Sequence, residues 1–335
     1  MNDKINQALS YYNINVSNIA NLHLHETFKL TDESGNRFFL KLYSGIDDTD
    51  IVPGERLYHT YEQIRLEAEI LLLLSDSVLK TAAPLKNKYG DFVTTLDANS
   101  GDGSIFASIT SFVDGVTKKH TEAPTAEMAY IAGIAAARLH LESKNKLLPL
   151  ALKRPHKRQE YIRKMQDRLS KGIEIGVLSV AQYEMVSQCS DMIINCMNRL
   201  DKDMDNNVGL VHTDIQNSNV IYTQSHGTLI DFSRSVYSYY LYDLGEMCLH
   251  GNFGGSSPEL QKAILRGYHS VKPLTEDHLF AMQVFFVMFI LIIMATGIEL
   301  TQNTWRDNVL IWFSETVHPG LVSGKGYLDS SVLDI

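Results

Sequence analysis

The chain of 335 residues is long enough to bury a sizeable core, as one large domain or as two lobes. Its 30 Lys and Arg against 39 Asp and Glu leave a net charge of −9, which excludes general nucleic-acid affinity carried by charge alone. Cys189, Cys196 and Cys248 form no CxxC pair and no even set, which excludes a disulfide framework; with the polar start MNDKINQALS, this predicts a reducing, cytoplasmic setting without a signal segment.

In chain order, Asp3 to Tyr12 is expected as a short helix. Thr27 to Leu30 and Arg37 to Tyr43 flank the turn signal Glu33-Ser34-Gly35-Asn36, so they are expected to pair as a β-hairpin. In the second strand Phe38, Leu40 and Leu42 share one face and Phe39, Lys41 and Tyr43 the other, which holds Lys41 on a defined side. Glu55 to Leu74 carries a helical stripe of Leu57, Ile64, Leu71 and Leu74, with Glu67 on its edge and Glu69 on the opposite, wet side. A carboxylate turned inward at Glu67 is costly unless a cation meets it. Two further hairpin signals, around Asn87-Lys88-Tyr89-Gly90 and from Ala98 to Gly103, lead to an apolar strand from Ile105 to Val113, which Asp114-Gly115 breaks.

From Thr125 the pattern turns mainly helical, with helices expected over Ala126 to Leu141 and Ala181 to Leu200. A boundary near Gly115 divides the chain into a β-rich part, 1–115, and a helical part, 116–335, an α+β architecture. Basic residues crowd the stretch from Lys144 to Lys171, where only Glu160 and Asp167 oppose them; it reads as a solvated face. Leu279 to Ile298 lacks charge and is just long enough to cross a bilayer, but Gln283 interrupts it and neither flank carries Lys or Arg. It is expected as a buried core helix, with no membrane association.

The chemistry concentrates in Gly209 to Tyr222 and Thr228 to Phe232, which contain HxDxxxxN (His212, Asp214, Asn219) and then Asp231-Phe232. The β-prone runs Asn219 to Thr223 and Thr228 to Phe232, separated by Gln224-Ser225-His226-Gly227, are expected to form a hairpin. Centred near Ser225, it sets Asn219 across from Asp231 with Cα atoms about 5 Å apart. An amide oxygen and a carboxylate are hard ligands of the kind Mg²⁺ takes beside nucleotide phosphates. Asp214, in the loop before the hairpin, is placed to accept a proton from a hydroxyl. Lys41, with Glu67 as its partner, would supply positive charge to the phosphates, and phosphoryl transfer needs little beyond such positioning and neutralisation. There is no GxxxxGK, and no glycine-rich loop between His25 and Lys29, so phosphate cover falls to the His25-Glu26-Thr27 turn.

Together with Phe39-Leu-Lys41, Glu67 before Leu71 and Leu74, Phe112-Val-Asp-Gly115, Ala137-Arg-Leu-His140 and Tyr242-Asp-Leu-Gly245, these motifs run over most of the chain. The sequence thereby resembles the aminoglycoside phosphotransferase and choline kinase superfamily of protein-kinase-like enzymes. The resemblance implies a bilobal protein-kinase-like fold, with an antiparallel-sheet N-lobe carrying one long helix and a mainly helical C-lobe. It implies ATP and Mg²⁺ as cofactors and transfer of the γ-phosphoryl to a hydroxyl of a small molecule. In that reading Asp214 is the catalytic base, Asn219 and Asp231 bind Mg²⁺, and Lys41, oriented by Glu67, contacts the nucleotide. The backbone around Ser111 and Val113 meets adenine, His212 braces the catalytic loop, and Asp243 ties that loop to the helical lobe.

From Glu246 onward acids outnumber bases, which permits a cationic acceptor such as an amino sugar or an amino alcohol, with homoserine-like, sugar or antibiotic-like alcohols equally open. A protein serine or threonine acceptor is the main alternative within the fold. Outside it stand a metal-dependent hydrolase built on His23-Leu-His25 with His212 and Asp214, and a catalytically inactive binding scaffold. Asp201-Lys-Asp-Met-Asp205 begins like a calcium loop, but Asn206 stands where glycine is needed and His212 where a Glu is needed, so it reads as a solvated turn. Cys189 and Cys196 are expected as neighbours on one buried helix face.

Overall fold

The computed structural model describes residues 2–22, 26–44, 60–97, 104–119, 122–224, 226–249, 257–298 and 304–334. The chain divides into two compact units: Met1–Thr49 with Arg56–Val116 and Ile230–Arg234, and Asp50–Glu55 with Thr117–Leu229 and Ser235–Ile335. Ile230–Arg234 thus packs with the first unit although it lies far along the chain.

The first unit is built on a five-stranded antiparallel sheet. Helix α1 (Asn2–Leu9) precedes strands β1 (Val16–Asn21), β2 (Thr27–Asp32) and β3 (Arg37–Ser44); helix α2 (Tyr61–Ser75) follows, then β4 (Thr94–Leu96) and β5 (Ile105–Ser111), in the sheet order β1-β2-β3-β5-β4. The β2–β3 hairpin forms where its turn residues predict it, pairing Leu30 with Phe38 and Thr31 with Arg37. Asp32 closes the turn by accepting the N–H groups of Ser34 at 2.9 Å and Asn36 at 2.7 Å, and Gly35 takes the left-handed φ of 84°. Alternation along β3 sorts its side chains as the sequence demands. Leu40 and Leu42 join Ile5, Phe28, Leu30 and Ile109 in one core, while Tyr43 packs with Ile64 of α2 and Val93 on the other face.

Three expectations need correction. Strand β5 stops at Ser111, two residues short of Val113, because its partner β3 begins at Arg37, whose carbonyl takes the Phe112 N–H at 3.0 Å and leaves no strand beyond to pair with. The Asn87–Gly90 turn is real, with Gly90 at φ 84°, but it joins no paired strands: the Lys88 N–H goes to the Tyr11 carbonyl and the Leu85 N–H to that of Ile109. Helix α2 is described from Tyr61, with Thr60 capping its start by accepting the Gln63 N–H. Residues 55–59 and the signal at 98–103 lie outside the described residues.

The second unit is mainly helical. Helix α3 (Ala126–Glu142) runs through a π-helical turn, Ser143–Leu147, into α4 (Leu148–Ala151), followed by α5 (Gln159–Glu174), α6 (Val180–Leu200) and α7 (Met204–Asn207). Strands β6 (Val208–Val211), β7 (Val220–Tyr222), β8 (Gly227–Leu229) and β9 (Val236–Tyr239) form two small antiparallel pairs, β6 with β9 and β7 with β8. Helices α8 (Tyr240–Leu249), α9 (Pro258–His269), α10 (Glu276–Thr296), α11 (Thr304–Trp312) and α12 (His318–Val322) complete the unit. Helix α10 is long and apolar enough to cross a membrane, yet 83% of its apolar stretch is buried inside the protein, against α5, α6, α8 and α11. Its Gln283 is satisfied internally, its side-chain oxygen accepting the N–H groups of Tyr327 and Leu328.

The basic stretch is not a uniformly solvated face. Arg154 and Lys157 are buried, Arg154 donating to the Ser235 carbonyl at 2.7 Å and Lys157 lying over the rings of Tyr161 and Tyr242. Arg158 pairs with Asp201 at 2.6 Å, and Tyr239 donates to the same carboxylate oxygen at 2.8 Å. Asp201 is therefore an anchor for the basic segment rather than part of a freely solvated turn. Cys189 and Cys196 are both buried on α6.

Candidate active site

Within the first unit the chemistry-bearing residues gather around Lys41. β3 directs this side chain away from the Leu40 core, and its ammonium donates to Asp231 Oδ1 at 2.9 Å. The Ser233 hydroxyl donates to the same oxygen at 2.6 Å, so two donors fix the Asp231 carboxylate. Glu67 is buried on α2, on the apolar side where its position in the stripe put it. Burial by itself lowers the Lys41 pKa, but the negative charges of Asp231 and Glu67 outweigh it and hold the ammonium well above its ordinary value. The cost of a carboxylate in the interior is thus offset by a cation that this carboxylate keeps charged. Glu69, on the other side of α2, pairs with Arg65 at 3.0 Å.

Asp231 adopts a left-handed φ of 61°, which strand residues avoid, so the chain leaves β8 before reaching it. This corrects the expected hairpin. Val220 pairs with Leu229 and Tyr222 with Gly227, one residue off the register that sets Asn219 across from Asp231. The reason lies in the turn. Thr223 donates its N–H to the His226 carbonyl at 2.9 Å, and its hydroxyl accepts the His226 N–H, which closes a two-residue loop and moves the hairpin centre. Asn219 accordingly sits in a short 3₁₀ turn, Asn217–Asn219, rather than in the strand.

At the end of β5, Ser111 donates its N–H to the Ala83 carbonyl at 2.8 Å and accepts the Ala83 N–H at its hydroxyl at 2.9 Å. Its amide is therefore spent within the protein, whereas the Val113 backbone bonds to none of the described residues.

In the second unit, Asp214 is held by its own loop. Asn219 Nδ2 donates to Asp214 Oδ2 and to its backbone carbonyl, both at 2.9 Å, and Gln216 Nε2 donates to Oδ1 at 2.9 Å. Each carboxylate oxygen thus has an amide donor, which fixes the orientation of the acid. With its NH₂ committed to Asp214, Asn219 keeps its carbonyl oxygen as the end that can take a cation. Gln216 was not singled out in the sequence; its place two residues after Asp214 in a polar loop is the only signal it offers.

Asp243, at the start of α8 and fully buried, fastens that loop from below. Its Oδ1 accepts the Thr213 N–H at 2.7 Å, and its Oδ2 accepts the His212 N–H at 2.8 Å. Thr213 has a φ of 59°, a region that a β-branched residue reaches only under constraint, and the two charge-assisted bonds supply it. His140 of α3 also donates through Nε2 to Asp243 Oδ2 at 3.0 Å. His212 is itself fully buried behind the loop. The His23 and His25 pair lies outside the described residues, and among the described residues no three His, Cys, Asp or Glu side chains converge as a metal cage.

The sequence model of the phosphotransferase enzyme family, APH, matches residues 15–281. No curated protein sequence matches the chain significantly. Among solved structures, a microcompartment-associated aminopropanol kinase is similar at 20% identity and TM-score 0.73, covering 98% of this chain and 99% of that one. An amicoumacin kinase, solved with AMP-PNP, Ca²⁺ and its antibiotic, has 18% identity and TM-score 0.67 over 96% and 93% of the two chains. A spectinomycin phosphotransferase, solved with ADP and spectinomycin, has 16% identity and TM-score 0.57 over 94% of each chain. These likenesses give the fold, the α+β arrangement of protein-kinase-like enzymes. Because the family match spans most of the sequence, the chain belongs to the phosphotransferase enzyme family and is a kinase.

Proposed function

We propose that the protein transfers the γ-phosphoryl of ATP to a hydroxyl of a small amine-bearing alcohol, with Asp214 accepting the proton of the attacking hydroxyl. The observation that carries this reading is the Asp214 carboxylate, fixed at both oxygens by Asn219 and Gln216 on a loop that Asp243 fastens. A carboxylate oriented in that way is what general-base help to an alcohol requires. Lys41, kept charged among Asp231, Tyr43 and Glu67, neutralises the α and β phosphates. The backbone around Ser111 and Val113 receives adenine, the Ser111 N–H being already engaged with Ala83.

Asn219 and Asp231 are the proposed Mg²⁺ ligands. Their oxygens fit the metal: the Asn219 carbonyl is left over once its NH₂ binds Asp214, and the Asp231 carboxylate is already fixed by Lys41 and Ser233. When bound, Mg²⁺ would offset phosphate charge. His212 and Asp243 support the loop and touch no reacting atom.

The acceptor class rests on the acidic balance after Glu246 and on similar structures that act on aminopropanol and on amicoumacin. The experiment is an ADP-release screen over simple alcohols, amino alcohols, aminoglycosides and unfolded proteins. Turnover confined to amine-bearing small alcohols is expected; turnover only with protein would overturn the acceptor, and none with any alcohol would overturn the reaction.

A further inference from the structure

Helices α3 and α9 approach so closely that no side chain fits between them at two points. A Cβ on Gly133 would stand 2.2 Å from the Ile264 carbonyl oxygen, and one on Gly267 would stand 2.0 Å from that of Tyr130. This contact brings Tyr268 of α9 against His140 of α3. The Tyr268 hydroxyl lies 2.8 Å from His140 Nδ1, both side chains are fully buried, and the His140 ring is stacked on Tyr240 with centroids 4.5 Å apart. A 180° flip of the imidazole would keep that stacking but would turn carbons toward both Tyr268 and Asp243.

The hydrogen-bond directions follow from the neighbours. Burial, then Asp243 and Tyr240, keep the Tyr268 phenol protonated, so it donates. Burial lowers the His140 pKa in spite of Asp243, so the ring is neutral and carries one proton. With Nδ1 accepting from Tyr268, that proton sits on Nε2 and points at Asp243 Oδ2. The opposite tautomer would set two acceptors, Nε2 and the Asp243 oxygen, face to face, so the carboxylate selects the Nε2–H form, and the phenol fills Nδ1 and holds the ring in place. The phenol pins the ring, the ring orients Asp243, and Asp243 holds the left-handed Thr213 that precedes Asp214.

We propose that Tyr268 is a positioning residue for phosphoryl transfer, acting on the Asp214 loop through the ring of His140 and the carboxylate of Asp243. The proposal rests on the reading of Asp214 as the base, and its test separates the two. Tyr268→Phe removes one hydroxyl and keeps the ring that fills the α3–α9 contact. Nitrogen-15 NMR of histidine-labelled protein reads the state of both His140 nitrogens directly, and steady-state kinetics read the consequence. In Tyr268→Phe the Nδ1 resonance of His140 is expected to shift as that nitrogen loses its donor, with kcat down about tenfold and KM for ATP and acceptor within about twofold of wild type. An unchanged Nδ1 resonance, or a kcat equal to wild type in the folded variant, would overturn the role of Tyr268. The NMR result is independent of the chemistry, and Asp214→Asn run alongside reports on the base alone, so neither failure can be mistaken for the other.

Discussion

Replacing Asp243 by Asn perturbs the loop at its anchor with the smallest change of shape. The carboxylate accepts three hydrogen bonds in a fully buried setting: Thr213 N–H at 2.7 Å, His212 N–H at 2.8 Å and His140 Nε2 at 3.0 Å. An amide has one acceptor oxygen, so whichever way it turns, its NH₂ faces a backbone N–H. Losing a hydrogen bond to a charged group costs about 1.5–3 kcal/mol, and stranding the freed N–H adds roughly 1–3 kcal/mol. The expected loss is thus about 2.5–6 kcal/mol, with Thr213 also released from its strained φ. Urea unfolding followed by circular dichroism reads it as a lower midpoint at unchanged slope. A loss under about 1 kcal/mol would refute the idea that this carboxylate fastens the loop.

Two further outcomes follow from the same packing. Gly267→Ala drives a Cβ into the Tyr130 carbonyl, where only movement of α3 or α9 can make room, so it should cost about 3 kcal/mol or more by thermal or urea unfolding; an effect below 1 kcal/mol would show the helices to be further apart. Burial depresses the folded pKa of His140 below 6.5, and those of His278 and His318 likewise, so between the folded and unfolded values the unfolded chain binds more protons. Stability from these groups is complete above pH 6.5 and declines as pH falls through the depressed values, by at most about 1.4 kcal/mol per pH unit for each group. Unfolding midpoints from pH 7.5 to 5 should fall, less steeply in His140→Asn; a rise on acidification would contradict the neutral imidazole.

What the sequence made legible was whatever repeats along one element. The β2–β3 hairpin follows from alternation on both sides of a Gly35 turn, α2 follows from its apolar stripe, and α10 follows from an uncharged apolar run. Lys41 and Glu67 stood out for the same reason, since each breaks the pattern of its own element. Features that need a partner from elsewhere in the chain were not legible. Arg154 and Lys157 look solvated by charge and are buried because Ser235 and two tyrosine rings receive them. The one-residue shift of the β7–β8 hairpin comes from a Thr223 side-chain bond, and the left-handed Thr213 and Asp231 contradict the preferences of their residue types. The role of Tyr268 depends on Gly133 and Gly267 meeting across two helices, which no local pattern encodes.

The central claim, that Asp214 takes the proton of the attacking alcohol, is tested most directly by single-turnover kinetics of Asp214→Asn alongside its nucleotide affinity. The account predicts ATP binding within about threefold of wild type and phosphoryl transfer slower by about 10²–10⁴-fold, the usual range for general-base help. Transfer at the wild-type rate, with the same nucleotide affinity, would contradict it.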